Sequence, residues 1–208
     1  MSNASSVVVS PRIYAVILTS PRLRRLLLPG GLIRSPYKVL DYQGTLILRD
    51  KEGAVASFER RQVVQFQQDG VGAILDHFWG AGVGLTAYTT TAGVLKESFR
   101  DQGKRHLLIE LARKMARGER LAFTVQRLAQ EVFTLPEGWV ETLIDHPIVR
   151  LSQTILFPQA RPCQSAELVY RGETFPLHVM TTVDGGTQLN VRIGRPEQNT
   201  SYLIRWRW

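Results

Sequence analysis

Two segments at the end of the chain decide the fold: Thr187-Gln-Leu-Asn-Val-Arg-Ile193 and Ser201-Tyr-Leu-Ile-Arg-Trp-Arg-Trp208. Apolar and polar residues alternate in both, which is the period of a β-strand with one buried face. In the second segment the pattern predicts an inward row of large side chains: Tyr202, Ile204, Trp206 and Trp208. We expect the two strands to form the closing hairpin of a sheet, with the aromatic strand as one wall of the core.

Three β-rich runs occupy the first half of the chain, at Tyr37 to Arg49, Ala54 to Phe66 and Val71 to Trp79. Residues 50–53 and 68–70 separate them and contain the Asp and Gly residues typical of hairpin turns. The pattern therefore predicts a three-stranded antiparallel meander.

Residues 105–133 are ambiguous. Leu, Ala, Glu, Lys, Arg and Gln dominate this stretch and favour a helix. Against a helix, residues 117–120 (Arg-Gly-Glu-Arg) form a plausible turn, and the residues after it include β-formers. We favour two strands, 105–116 and 120–131, paired as a hairpin.

The pattern divides the chain into an arm at 1–36, an antiparallel β unit at 37–146 and a β-sandwich-like unit at 147–208. The two β units also fit one continuous domain. Trp139 to Pro162 reads as one long strand kinked at Pro147. The predicted class is mainly β, with an antiparallel meander and sandwich-like body that follows a short N-terminal helical arm.

The arm carries most of the positive charge. The chain has a formal net charge of +8, and residues 1–36 hold five arginines and no acid, so the arm supplies +5 and the rest +3. Ser20 and Pro21 can begin a short helix that Pro29 and Gly30 end. We expect this amphipathic helix to dock a protein partner through Arg22, Leu23, Arg25, Leu26 and Leu27.

Nucleic acid is the alternative partner for this positive charge. The arginines that would contact it are Arg12, Arg24 and Arg34 in the arm, with Arg60 and Arg61 in the predicted sheet. Such binding would weaken as salt is raised, whereas protein docking would depend on the apolar face of the helix.

The single cysteine, Cys163, cannot form an internal disulfide, which favours a reducing compartment. The start of the chain lacks the basic segment of a secretory signal, and the apolar run at 13–18 is too short to span a bilayer. We therefore expect a cytoplasmic protein without a membrane span.

No catalytic or ligand-binding motif stands out, so the sequence does not reveal an activity. Four histidines occur without metal-ligand spacing. Adjacent residues on a strand face opposite sides, so the pairs Asp76-His77 and Asp145-His146 do not by themselves make a catalytic dyad. The glycines of residues 80–84 lack phosphate-loop spacing. We predict no metal, no cofactor and no enzymatic activity.

A resemblance is carried by Asp145-His-Pro147, Leu151, Phe157-Pro158 with Arg161-Pro162, and Tyr202-x-x-x-Trp206-x-Trp208. These motifs look like an uncharacterised β-rich module of bacterial multidomain proteins of regulatory or defence type. The resemblance covers about residues 37–208, favours strands at 105–133 and implies no activity.

The leading hypothesis is a non-enzymatic protein-interaction or regulatory module, an accessory subunit of a larger assembly. Sheets with unpaired edges can bind a partner by strand addition or by docking on a face, without chemistry. The first alternative is the nucleic-acid-binding accessory protein described above. The second is a small-ligand binder or enzyme with a β cavity, lined by Trp79, Trp139 and His146.

Overall fold

The protein is mainly β, as the sequence predicts. A computed structural model describes residues 35–79, 85–101, 104–144 and 146–208. Fourteen strands lie within these ranges: β1 Tyr37–Leu48, β2 Val55–Phe66, β3 Val71–Trp79, β4 Leu85–Thr90, β5 Gly93–Asp101, β6 Lys104–Met115, β7 Arg120–Gln130, β8 Glu137–Leu143, β9 Arg150–Phe157, β10 Ser165–Tyr170, β11 Glu173–Leu177, β12 Val179–Thr181, β13 Thr187–Gly194 and β14 Ser201–Arg207. The predicted helical arm lies outside the described residues, and those residues contain no helix that could cross a bilayer.

The strands form three sheets. A seven-stranded sheet has the order β12-β13-β9-β1-β2-β7-β4, a four-stranded sheet β11-β10-β14-β8, and a three-stranded sheet β3-β6-β5. Within the described residues the paired strands are antiparallel, except for β1 and β9, which run parallel from Tyr42 opposite Leu151 to Ile47 opposite Leu156. The large sheet therefore contains strands from both sides of residue 147.

Both small sheets cover the same face of the large sheet. Leu46 on β1 lies directly opposite Phe58 on β2, so their side chains share a face of the sheet. Val64 lies an even number of residues from Phe58 on β2, so its side chain is on the same face. Leu46 packs in a cluster with Ile204 and Trp206 of the four-stranded sheet. Val64 packs in a second cluster with residues of β3 and β6. The core therefore has two halves side by side under one sheet.

The alternation of the last two strands is confirmed, but the closing hairpin is wrong. Tyr202, Ile204, Trp206 and Trp208 are buried, while Arg205 and Arg207 are exposed. β13 pairs with β9 and β12, whereas β14 pairs with β10 and β8. Because both sides of β13 already have neighbours, the chain crosses from the large sheet to the four-stranded sheet between these strands.

The predicted three-stranded meander and the predicted hairpin of strands 105–116 and 120–131 are also wrong, because strands adjacent in sequence belong to different sheets. β1 and β2 pair, but β7 occupies the other side of β2. β3 therefore pairs with β6 in the three-stranded sheet instead. The two strands favoured at 105–131 are confirmed as β6 and β7, but they do not pair with each other. The turn between them bonds to the end of β2, where Gly118 N–H donates to the Phe66 carbonyl and Phe66 N–H donates to the Glu119 carbonyl.

The long kinked strand predicted from Trp139 to Pro162 is two strands. β8 ends at Leu143 in the four-stranded sheet, and β9 begins at Arg150 in the large sheet. Gln153 of β9 donates a 2.7 Å hydrogen bond to Thr142 of β8, which ties the two sheets together. β8 is thereby fixed above the large sheet at the end of its own sheet.

Candidate functional site

Exposed apolar side chains concentrate between the end of β7 and the middle of β8. Val132 is 43% exposed, Leu135 70% and Trp139 55%. Scattered surface apolar residues are normal, but a group of large ones in one short stretch marks a contact site. We name these residues, together with Glu137 and Glu141, the β8 surface.

The loop before β8 is hydrogen-bonded to the rest of the fold through the Leu135 carbonyl. The carbonyl of Leu135 accepts hydrogen bonds from Arg161 Nη2, at 2.9 Å, and from Trp208 Nε1, at 2.9 Å. The Arg161 guanidinium carbon lies 3.8 Å from the centroid of the Trp208 ring, a cation–π contact. The Leu135 side chain is therefore exposed on a fixed backbone, which lowers the entropy lost when a partner covers it.

One face of β8 packs on the core and leaves no room for larger side chains. An ideal Cβ added to Gly138 would lie 2.5 Å from Cζ2 of Trp206. Trp206 is buried between Phe133 and Phe157, whose ring centroids lie 5.4 and 5.6 Å from its own. Gly138 thus lets β8 approach the aromatic core.

The outer face of β8 carries Glu137, Trp139 and Glu141 in a row. In the register with β14, Trp139 lies opposite Arg205, and Glu137 lies opposite Arg207. Arg207 donates to Glu137 at 2.8 Å, and Arg205 donates to Glu167 of β10. Tryptophan and arginine are the residue types that dominate binding energy at protein interfaces, so this face has the composition of a docking site.

A buried ionic cluster lies where the three-stranded sheet meets the large sheet. Arg60 Nη1 of β2 donates to Asp76 Oδ1 of β3 at 2.6 Å, and the Tyr88 hydroxyl donates to Asp76 Oδ2 at 2.9 Å. Burial lowers the pKa of Arg60, but Asp76 more than compensates, so the net pKa lies above its usual value. Burial, and then the Asp76 charge, raise the pKa of Tyr88. Asp76 therefore joins two sheets.

Among the groups considered for catalysis, the structure describes the surroundings of Cys163, His146 and Asp76. Cys163 is buried, and burial raises the pKa of its thiol to about 11, which keeps it unreactive near neutral pH. The His146 ring stacks on Tyr37 at 4.7 Å. Within the described ranges, no group of three His, Cys, Asp or Glu side chains could hold a metal ion.

Of the residues predicted for partner docking or nucleic-acid contact, the structure describes two. Arg60 is buried in the ion pair with Asp76, so its charge does not reach the surface. Arg61 is exposed on the opposite face of β2 and pairs with Glu59. The remaining predicted residues lie outside the described ranges: Arg12, Arg22, Leu23, Arg24, Arg25, Leu26, Leu27 and Arg34.

Sequence reasoning missed the β8 surface. It assigned Trp139 to the wall of a cavity, although the side chain is mostly exposed. The signal that could have found it is local: Glu137 and Glu141 flank Trp139 at spacings of two, which places all three on one face of a strand. The sequence did not show that this face points away from the core.

No protein-family model matches the chain, and no curated protein matches it, so the resemblance to a bacterial regulatory or defence module stays a prediction. Solved structures do match. The chain is similar to a putative protease from Parabacteroides distasonis, with a TM-score of 0.52 and 8% identity, over 85% of this chain and 41% of that one.

Two further matches are zinc metallopeptidases. One is a two-domain M1 enzyme bound to L-tryptophan, with a TM-score of 0.50 and 14% identity over 81% of this chain and 42% of that one. The other is from Deinococcus radiodurans, with a TM-score of 0.49 and 14% identity over 83% and 42%. The chain spans about two fifths of the length of these proteins. At such identities the likeness is one of fold.

Proposed function

We propose that the protein is a non-enzymatic protein-interaction module, with a regulatory or accessory role in a larger assembly, and that it binds its partner through the β8 surface. The observation that carries this proposal is the exposure of Leu135 and Trp139, next to a row of arginines, on a segment whose Leu135 carbonyl accepts two hydrogen bonds. Burying two such side chains at an interface removes apolar area from water without much ordering cost.

Two features support a binding role over a catalytic one. Arg60 and Tyr88, two of the four described groups with strongly raised pKa values, belong to the cluster that joins two sheets; the other two are the Cys163 thiol, raised by burial, and Tyr170, which is raised by its hydrogen bond to Glu197. The matched solved structures are longer chains, so this fold occurs as part of larger proteins, which supports an accessory role. The nucleic-acid alternative stays a prediction that rests on Arg61 and the arm.

The test is affinity capture from an extract of the source cells, with nuclease added. The bait is the full chain, compared with Trp139→Ala and with a matched control, Phe175→Ala. Phe175 lies on β11 at the opposite end of the same sheet and is also an exposed aromatic residue. We expect the wild type and Phe175→Ala to capture the same protein in similar amounts. The amount captured by Trp139→Ala should be at least about tenfold lower.

Either of two results would contradict the proposal. Equal capture by Trp139→Ala and the wild type would show that the β8 surface does not bind the partner. Capture of nucleic acid alone, lost with nuclease, would favour the alternative. A bait lacking residues 1–36 tests the docking role predicted for the arm in the same experiment.

A further inference from the structure

The edges of the three sheets differ in how they are protected. Natural sheets avoid unwanted strand pairing by making edge strands short, by interrupting them with bulges, or by placing proline or charged side chains, above all lysine, on them. The edge strands here are β12 and β4 in the large sheet, β11 and β8 in the four-stranded sheet, and β3 and β5 in the three-stranded sheet. Their protection can therefore be compared strand by strand.

Five of these six strands carry a protective feature. β12 has only three residues, and β11 contains Pro176. The registers of β3 and β4 are shifted, between Val71 and Ala73 and between Leu85 and Ala87. β5 exposes Val94 and Leu95, but its register is shifted next to Lys96. Beyond its shift β3 runs unshifted from Ala73 to Trp79, but the side chains described on this strand, at residues 71–76, are buried or half-buried.

β8 differs from the other described edges in combining a regular register with an exposed aromatic side chain. It has seven residues, its register with β14 runs unshifted from Glu137 to Leu143, and it contains neither proline nor lysine; its charges are those of Glu137 and Glu141. A regular edge of this length, with an exposed tryptophan as its third residue, is a template for an added strand.

Two hydrogen bonds show which backbone groups of β8 face the open side. Trp208 N–H donates to the Pro136 carbonyl, and Ile144 N–H donates to the Thr200 carbonyl. Residues that bond to a given antiparallel neighbour alternate along a strand, so the even-numbered residues of β8 bond to β14. The backbone groups of Trp139 and Glu141 therefore point away from β14, toward a position where no described strand lies.

The side chains of β8 indicate the chemistry of the added strand. Residues directly opposite in a sheet interact, and opposite charges stabilise the pair while like charges destabilise it. A residue opposite Trp139 would meet an aromatic ring. The residues two positions away would meet Glu141 on one side and, on the other, Glu137, which also pairs with Arg207. The segment that complements β8 therefore has a basic residue at its first position, an apolar residue at its third and a basic residue at its fifth, with any residue between them.

We propose that the β8 edge binds an extended segment of a partner protein that carries this basic–apolar–basic pattern and adds to the four-stranded sheet as a fifth strand. This inference rests on the proposed function and specifies it. It names strand addition as the binding mode and a cationic, apolar segment as the ligand.

The test measures binding of a dye-labelled seven-residue peptide. Threonine occupies its first, third, fifth and seventh positions, arginine its second and sixth, and leucine its fourth. A second peptide carries glutamate in place of both arginines. Glu141→Pro removes an outward N–H and places a ring in its position, but keeps the bonds to β14. Glu141→Ala is the matched control, because it removes only the carboxylate. Circular dichroism and thermal unfolding confirm that both variants are folded.

We expect saturable binding of the arginine peptide by the full chain and a loss of at least about tenfold with Glu141→Pro. Glu141→Ala should lose about two- to fivefold. The glutamate peptide should bind more weakly than the arginine peptide. No binding of the arginine peptide to the folded wild type, or equal binding by Glu141→Pro, overturns strand addition.

Two outcomes separate this inference from the proposed function. If the captured protein is lost with Trp139→Ala but retained by Glu141→Pro, the β8 surface docks a partner by its face, and strand addition is wrong. Sedimentation of the chain alone tests the other occupant of the edge. A dimer that Glu141→Pro converts to monomer would show that β8 pairs with a second copy, which overturns the assignment to a partner protein.

Discussion

The ion pair between Arg60 and Asp76 should be a major determinant of stability. Its side chains are 9% and 1% exposed, and they meet at 2.6 Å. The pair between Arg61 and Glu59, on the opposite face of β2, has nearly the same length, 2.7 Å, but its side chains are 68% and 31% exposed. The two pairs therefore differ mainly in solvent screening.

Removing one partner of a buried pair leaves the other charge uncompensated, which costs about 3–5 kcal/mol, whereas an exposed pair contributes about 0–1 kcal/mol. We expect Asp76→Ala to lower the free energy of unfolding by about 3–5 kcal/mol, and Glu59→Ala by less than about 1 kcal/mol. In a chain of this size the first change corresponds to a melting temperature lower by about 6–20 °C.

The measurement is urea and thermal unfolding followed by circular dichroism, for the wild type and both variants. A double variant, Arg60→Met with Asp76→Leu, provides the control. It removes both charges and keeps apolar volume but leaves the Tyr88 hydroxyl without Asp76 as its acceptor, so it should recover part of the stability lost by Asp76→Ala. A cost below about 1 kcal/mol for Asp76→Ala, or no recovery in the double variant, would refute the role of this pair in joining the sheets.

Two further predictions concern the core around the four-stranded sheet. Gly138→Ala places a Cβ against the enclosed Trp206 ring and should cost about 1–3 kcal/mol, while Gly194→Ala, with no atom within 4 Å of its added Cβ, should change the unfolding free energy by less than about 0.5 kcal/mol. Cys163 should react with a thiol reagent at pH 8 only after denaturation, because burial raises its pKa to about 11. The folded state holds the Cys163 thiol proton more tightly than the unfolded state does. The protonated thiol should therefore contribute stability below its ordinary pKa of 9.0, and this contribution should be lost as the pH rises toward 11. The free energy of unfolding, measured between pH 8 and 11, tests this expectation.

The faces of single strands could be predicted from sequence, because each depends only on local alternation. Trp206 and Trp208 are buried and Arg205 is exposed, as their spacing indicates. The strands favoured over a helix at 105–131 were also found, although the propensity of individual residues favours a helix.

Sheet membership could not be predicted, because a short turn permits either a hairpin or a crossing to another sheet. Residues 68–70 resemble a hairpin turn, yet β2 and β3 belong to different sheets. The outcome depends on β7, which comes some 50 residues later and occupies the side of β2 that β3 would need. Such competition between distant strands leaves no local pattern.

The β8 surface was missed for the same reason. Whether Trp139 is buried or exposed depends on which side of β8 meets Trp206, and whether β8 is an edge depends on the order of four strands. Neither property is local to residues 137–143. The buried position of Arg60 likewise follows from the approach of Asp76 on another sheet.

Amide hydrogen exchange of β8 in the isolated full chain tests most directly whether this strand is an open edge. The amides of Val140 and Thr142 bond to β14 and should be protected, whereas those of Trp139 and Glu141 should exchange at least about 100-fold faster. If β8 is an open edge, NMR should resolve this alternation between slow and fast exchange residue by residue. Equal protection of all four amides would show that another segment already covers the edge, and would contradict the account.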